Sequence, residues 1–258
     1  MKKSLRVLLL VAVSFLVFYF FNKAAFGWLR SSLSNVIGVK GISHIITYCI
    51  VGVPLFVGTL VASKENNFLR SLGLRANAFK GFGLALVFTL PMLIGGALFF
   101  NFNTEITWDE FLIGAVAAAF FEELYFRGFL FGLLFKNTKI GFIPAIIVGA
   151  VLFAMGHLYQ STDPAELIGI FTMTFLGAVL FAWVYCEWGY NLWVAISLHF
   201  WMNFSWMLFS VSETALGGSA ANIFRFTTVA FVIVGTVVYK LRTHKGLEVN
   251  RKTLWIKM

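Results

Sequence analysis

Phe120-Phe121-Glu122-Glu123-Leu124-Tyr125-Phe126-Arg127-Gly128 sets two carboxylates and a guanidinium inside a run that is otherwise apolar from Phe111 to Phe135. In a membrane span each such charge costs about 2.5–3.5 kcal/mol on insertion scales, so a cluster of them marks a functional site by default. Glu123 and Arg127 are four residues apart and share a face of an α-helix, where they can pair. Glu122 points about 100° away from that pair. Its partner must come from another segment.

Working outward, the chain is 60% hydrophobic and only 12% charged over 258 residues. Repeated apolar runs of about 18 residues or more exceed what a soluble core needs. The expected fold class is therefore all-α: a polytopic membrane protein with a bundle of about eight transmembrane helices. The expected spans run from the N-terminus to about residue 21, then over about 42–62, 81–100, 111–135, 140–158, 165–186, 191–210 and 223–239. Residues 22–41 are expected to form a polar connection, and Pro54 to lie inside the second span. The basic start followed by an apolar run also has the outline of a signal peptide, but the run is long and aromatic and its end is a poor cleavage site. By organisation, residues 1–100 are N-terminal transmembrane helices. Residues 101–258 form the functional membrane core, as one structural unit.

The net charge of +9 is no sign of nucleic-acid binding. The basic residues sit at the ends of apolar runs, where they orient helices and meet anionic headgroups of membrane lipid. The basic N-terminus, the 64–80 loop, Lys136 with Lys139, and the tail fall on one side. The acidic loops at 105–110 and 163–166 fall on the other, so both termini are expected to be cytosolic. Lys23, Arg30 and Lys40 dissent. Cys49 and Cys186 lie in or near spans and read as small apolar fillers.

Two further polar sites lie within spans. His157 closes the segment Phe153-Ala154-Met155-Gly156-His157, and His199 and Asn203 share a helix face in the seventh span. Helices this apolar hide polar groups only by facing one another. A carboxylate out of water, Glu122, suits a general base. A histidine beside it can share and orient a water, and His199 with Asn203 can donate to an oxyanion. That set describes amide hydrolysis by direct attack of water. Ser197 and Ser205 have no base by spacing and more naturally back-bond to their own helix. Glu122, His157 and His199 also suit a zinc site with one open position, although the paired His-Glu-x-x-His helix signature is absent. A proton-coupled transporter uses the same residue types, but no internal repeat is visible.

These motifs resemble the CAAX prenyl protease 2 family, also called the CPBP or Abi family of intramembrane proteases. Glu122-Glu123-Leu124-Tyr125-Phe126-Arg127 matches EExxxR, Phe153 to His157 matches FxxxH, and His199 to Asn203 matches HxxxN, in family order. The likeness covers about residues 110–210. It implies an eight-helix membrane fold and endoproteolysis of membrane-bound or hydrophobic peptides. Glu122 and His157 would activate water, and His199 and Asn203 would stabilise the oxyanion. Glu123, Arg127 and Phe153 would shape the site or meet substrate. No cofactor is expected on this reading, with zinc as the alternative. The short chain without large loops looks bacterial, which implies the cytoplasmic membrane. Relatives linked to bacteriocin immunity leave a non-catalytic role as an alternative. By helical rise, Glu122 is expected near mid-depth and His157 near the non-cytosolic end.

Overall fold

The computed structural model describes residues 2–65 and 67–257, with the side chain of Lys2 excepted. It is an all-α polytopic membrane fold; no strand occurs among the described residues. α1 covers Lys2–Ile37. The expected loop over 22–41 is therefore mostly helix. No proline interrupts that segment, and the helix stops only at Gly38, whose φ of +76° takes the left-handed turn that suits glycine. At 36 residues α1 is about 54 Å long and outruns a hydrocarbon core of about 30 Å.

α2 (Lys40–Val51) and α3 (Val53–Ala62) replace the expected single second span, meeting at a bend of 41°. Pro54 has no N–H to return to Ile50, and Gly52 fills the break. A Cβ on Gly52 would lie 2.2 Å from the Tyr125 hydroxyl. That hydroxyl donates to the Tyr48 carbonyl at 2.6 Å, stitching the bend to the motif-bearing helix.

A short α4 (Phe68–Ser71) precedes α5 (Ala78–Phe99), which starts at an Asn77 cap. α6 is the single turn Trp108–Glu110, closed by a capping box between Thr107 and Glu110. The central helix follows at once, over Phe111–Phe131, and continues as α7 (Gly132–Asn137). Beyond it run α8 (Phe142–Met155), α9 (Pro164–Glu187), α10 (Leu192–Leu208) and α11 (Ser219–Arg242). Asp163 caps α9 with Pro164 at its first position, and Asn191 caps α10.

Among the described residues, five helices are long and apolar enough to cross a membrane, and the bent α2–α3 pair makes a sixth. The central helix carries three charges and α10 has 17 residues, which sets both apart from those six.

Hydrogen bonds between connections define two ends. At one, Gly41 N–H donates to Asp109, Asn103 to Met207, and Ala215 to Gln160. At the other, Lys136 donates to Ser71 and Tyr185, and Asn191 to Asn77. There the chain's tail folds back. Thr253, Leu254 and Trp255 offer carbonyls to the N–H groups of Phe142, Ile143 and Gly141. Those are donors that the start of a helix leaves open.

Candidate active site

The central helix decides the site's geometry. It is wound as a π-helix over all of Phe111–Phe131, with i→i+5 hydrogen bonding. Such winding usually appears as single turns, frequently at functional sites. It turns less per residue than the 100° of an α-helix. Both carboxylates nevertheless reach toward one imidazole. His199 Nδ1 lies 2.8 Å from Glu123 Oε1, and His199 Nε2 lies 3.9 Å from Glu122 Oε2.

The local ion pair forms as the spacing predicts. Arg127 Nη1 and Glu123 Oε1 are 3.2 Å apart, with both side chains fully buried. The contact is close but poorly aligned. None of the three guanidinium nitrogens has a hydrogen-bond acceptor among the described residues. The guanidinium lies over the Phe153 ring at 4.4 Å and the Phe181 ring at 5.5 Å. Phe153 in turn packs on His157 at 4.6 Å, and Phe181 on His199 at 5.3 Å. Arg127 is thus the centre of a stack with a histidine at each end.

Glu122, His157, His199 and Asn203 line one cavity of about 1200 Å³, with Phe153 and Phe181 in its wall. Glu123 and Arg127 sit behind that wall and reach the cavity through His199 and the two phenyl rings. Each lining group has a defined hydrogen-bond state. His157 Nδ1 lies 2.8 Å from the Phe153 carbonyl. A carbonyl only accepts, so Nδ1 carries the proton, and the lone pair of the ring's neutral form lies on Nε2. His199 spends its Nδ1–H on Glu123 in the same way. Asn203 donates one amide hydrogen to the Gly114 carbonyl at 3.0 Å and keeps its second. Glu122 Oε2 is buried with no hydrogen-bond partner among the described residues. A buried acceptor in that state costs free energy unless a water or substrate group reaches it.

Among the described residues, no three of His, Cys, Asp and Glu are grouped to hold a metal ion.

Several cavity residues lie outside the sequence motifs. His44 is buried beside Phe26 and Tyr48, with Nδ1 unpartnered among the described residues. Both His44 and Tyr48 line the cavity. Spacing gave no signal for Phe181, one of 31 phenylalanines. For His44 the one signal was a histidine in an apolar run.

Residues 104–205 match the family model described as Rce1-like, type II CAAX prenyl endopeptidase. No curated protein and no solved structure matches the chain.

Proposed function

Residues 104–205 belong to the CAAX protease, or CPBP, family, and from that premise we propose a glutamate-dependent intramembrane endopeptidase that acts on membrane-associated peptides. Glu122 and His157 activate a water. The water oxygen attacks the scissile carbonyl carbon, and its proton passes to Glu122 or to the free Nε2 of His157. The oxyanion that forms is met by the second amide hydrogen of Asn203 and by His199. Because the Nδ1–H of His199 is spent on Glu123, donation through Nε2 requires the imidazolium. Collapse of the tetrahedral intermediate breaks the C–N bond, and the departing amine takes the proton. Glu123 orients His199, and Arg127 supports both histidines through Phe153 and Phe181.

One observation carries this reading: Glu122 enters a cavity shared with His157, His199 and Asn203 and keeps an unpartnered carboxylate oxygen there. The same arrangement supports counting the central helix and α10 as spans, which gives eight. It also supports residues 101–258 as the catalytic core and residues 1–100 as surrounding helices, although α2 lends His44 and Tyr48 to the cavity wall.

The test is cleavage of membrane-reconstituted model peptides by Glu122→Gln and His157→Ala. Loss of about 10²–10⁴-fold in turnover is expected for each. Asn203→Ala should cost about 10²–10³-fold. Wild-type turnover that persists in strong chelator supports the glutamate mechanism, and loss that zinc restores overturns it. Cleavage unchanged in Glu122→Gln sinks the catalytic assignment. Altered proton flux without cleavage would favour a carrier.

A further inference from the structure

We propose that the active-site cavity opens on the non-cytosolic face of the membrane, so that substrate polypeptide enters from that side. The inference rests on the protease reading for the word substrate. The direction of opening rests on geometry and charge alone.

The cavity's lining identifies its mouth. The connecting segments that contribute to it are 100–107, through Asn103 and Glu105; 156–163, through Tyr159 and Gln160; and 209–218, through Ser212 and Glu213. All three lie at one end of the bundle, tied together by the Asn103–Met207 and Ala215–Gln160 hydrogen bonds. Among the described residues, the segments 63–77, 138–141, 188–191 and 243–257 at the opposite end contribute nothing to the lining. From the mouth the lining runs through the depth of the bundle to Phe142, the first residue of α8 at the opposite end.

The two ends differ sharply in charge. The mouth end carries Glu105, Asp109, Glu110, Asp163, Glu166 and Glu213, against Lys23, Arg30, Lys40 and Arg225. The opposite end carries Glu65, Glu187 and Glu248 against most of the chain's 20 Lys and Arg. Short loops rich in Lys and Arg stay in the cytosol. The basic end is then cytosolic, and the mouth faces away from it. Of the four candidate catalytic residues, His157 lies just past the end of α8, on the mouth side.

The mouth's charge adds a preference. Arg225, the one Lys or Arg in the lining among the described residues, donates to the Ala215 carbonyl at 2.8 Å and lies over the Trp206 ring at 4.1 Å. Glu105 and Glu213 are exposed in the lining. A peptide with Lys or Arg beside its membrane-embedded part is the better match. At contact distance in water each charge pair is worth roughly a fivefold change in affinity.

Cysteine labelling reads the direction without needing turnover. In a Cys49→Ala background, Glu105→Cys and Glu213→Cys probe the mouth and Arg251→Cys probes the tail. Cys186 is fully buried and stays as an internal control. A membrane-impermeant maleimide is added to sealed, right-side-out vesicles. The mouth variants should label at once, and the tail variant only after permeabilisation. Mouth labelling that needs permeabilisation overturns the proposal, whatever the enzyme's activity. Immediate mouth labelling in a protein that cleaves nothing leaves this proposal standing and sinks the protease reading alone. A Glu105→Lys/Glu213→Lys variant should lower kcat/KM on a Lys-flanked anchored peptide by at least about fivefold and raise it on a Glu-flanked one. Equal rates on both peptides would overturn the charge preference.

Discussion

Glu187 and Lys240 pair at 3.1 Å at the basic end of the bundle, and Glu123 and Arg127 pair at 3.2 Å in its core. Both pairs are almost sealed from solvent. In the first, Glu187 also accepts from the Glu248 and Val249 backbone N–H groups, and Lys240 also donates to Gly246. In the second, the guanidinium has no aligned acceptor, and one Glu123 oxygen is without a partner among the described residues. The remaining Glu123 oxygen is shared between Arg127 and His199. A buried pair offsets its desolvation only when its leftover donors and acceptors are satisfied. The Glu187 pair meets that condition and fastens the tail to α9 and α11. The Glu123 pair does not, and what it gains is a fixed imidazole at the cavity wall. Pairs of nearly equal length and burial can therefore serve opposite ends, and the surrounding hydrogen bonds tell them apart.

The largest effect that separates them is loss of one partner. Arg127→Met and Glu187→Ala each strand a buried charge, at a cost of about 3–5 kcal/mol. Unfolding in detergent should show similar losses for both. Only Arg127→Met should abolish cleavage per folded molecule, and loss of turnover in folded Glu187→Ala would break the contrast. Removal of both partners sharpens it. Glu123→Leu/Arg127→Met should recover most of the lost stability without activity. Glu187→Leu/Lys240→Met should stay destabilised, because two tail N–H groups lose their acceptor at about 1–3 kcal/mol each.

A close approach that touches neither pair is the next comparison. Gly52→Ala drives a methyl into the Tyr125 hydroxyl and should cost about 1–3 kcal/mol in thermal unfolding. Tyr125→Phe in the same chain should return part of it. The smallest expected change is Phe181→Leu, which removes one face of the Arg127 stack. It should lower kcat about tenfold with little change in KM, the pattern of a lost transition-state interaction. A change in KM alone would make Phe181 a packing residue.

The helical membrane class was legible from apolar run length, and the Glu123–Arg127 pair from its spacing. Both are local properties of the chain. The ordering of three motifs also pointed to the family whose model residues 104–205 match. The rest was hidden for identifiable reasons. The π-winding of the central helix leaves no periodic mark, because the helix is apolar nearly all round. The extension of α1 through Asn22 and Lys23 was masked by polar residues that a protruding helix tolerates in water. The break at Gly52 was readable from Pro54, but its purpose depends on Tyr125, 77 residues from the Tyr48 carbonyl it bonds. Phe181 carries no pattern at all, and only packing makes it part of the site.

The tail's return to the bundle sets an order of events during synthesis. Lys257 reaches back 122 residues to the Phe135 carbonyl, next to where α8 receives its three borrowed acceptors. At ribosomal speeds of about 5–20 residues per second, that stretch takes about 6–24 s to make. Throughout that interval the start of α8 has only water or lipid headgroups for its first amides. The newborn chain is thus threaded through the bilayer before it is locked, and residues 248–257 act as the bolt.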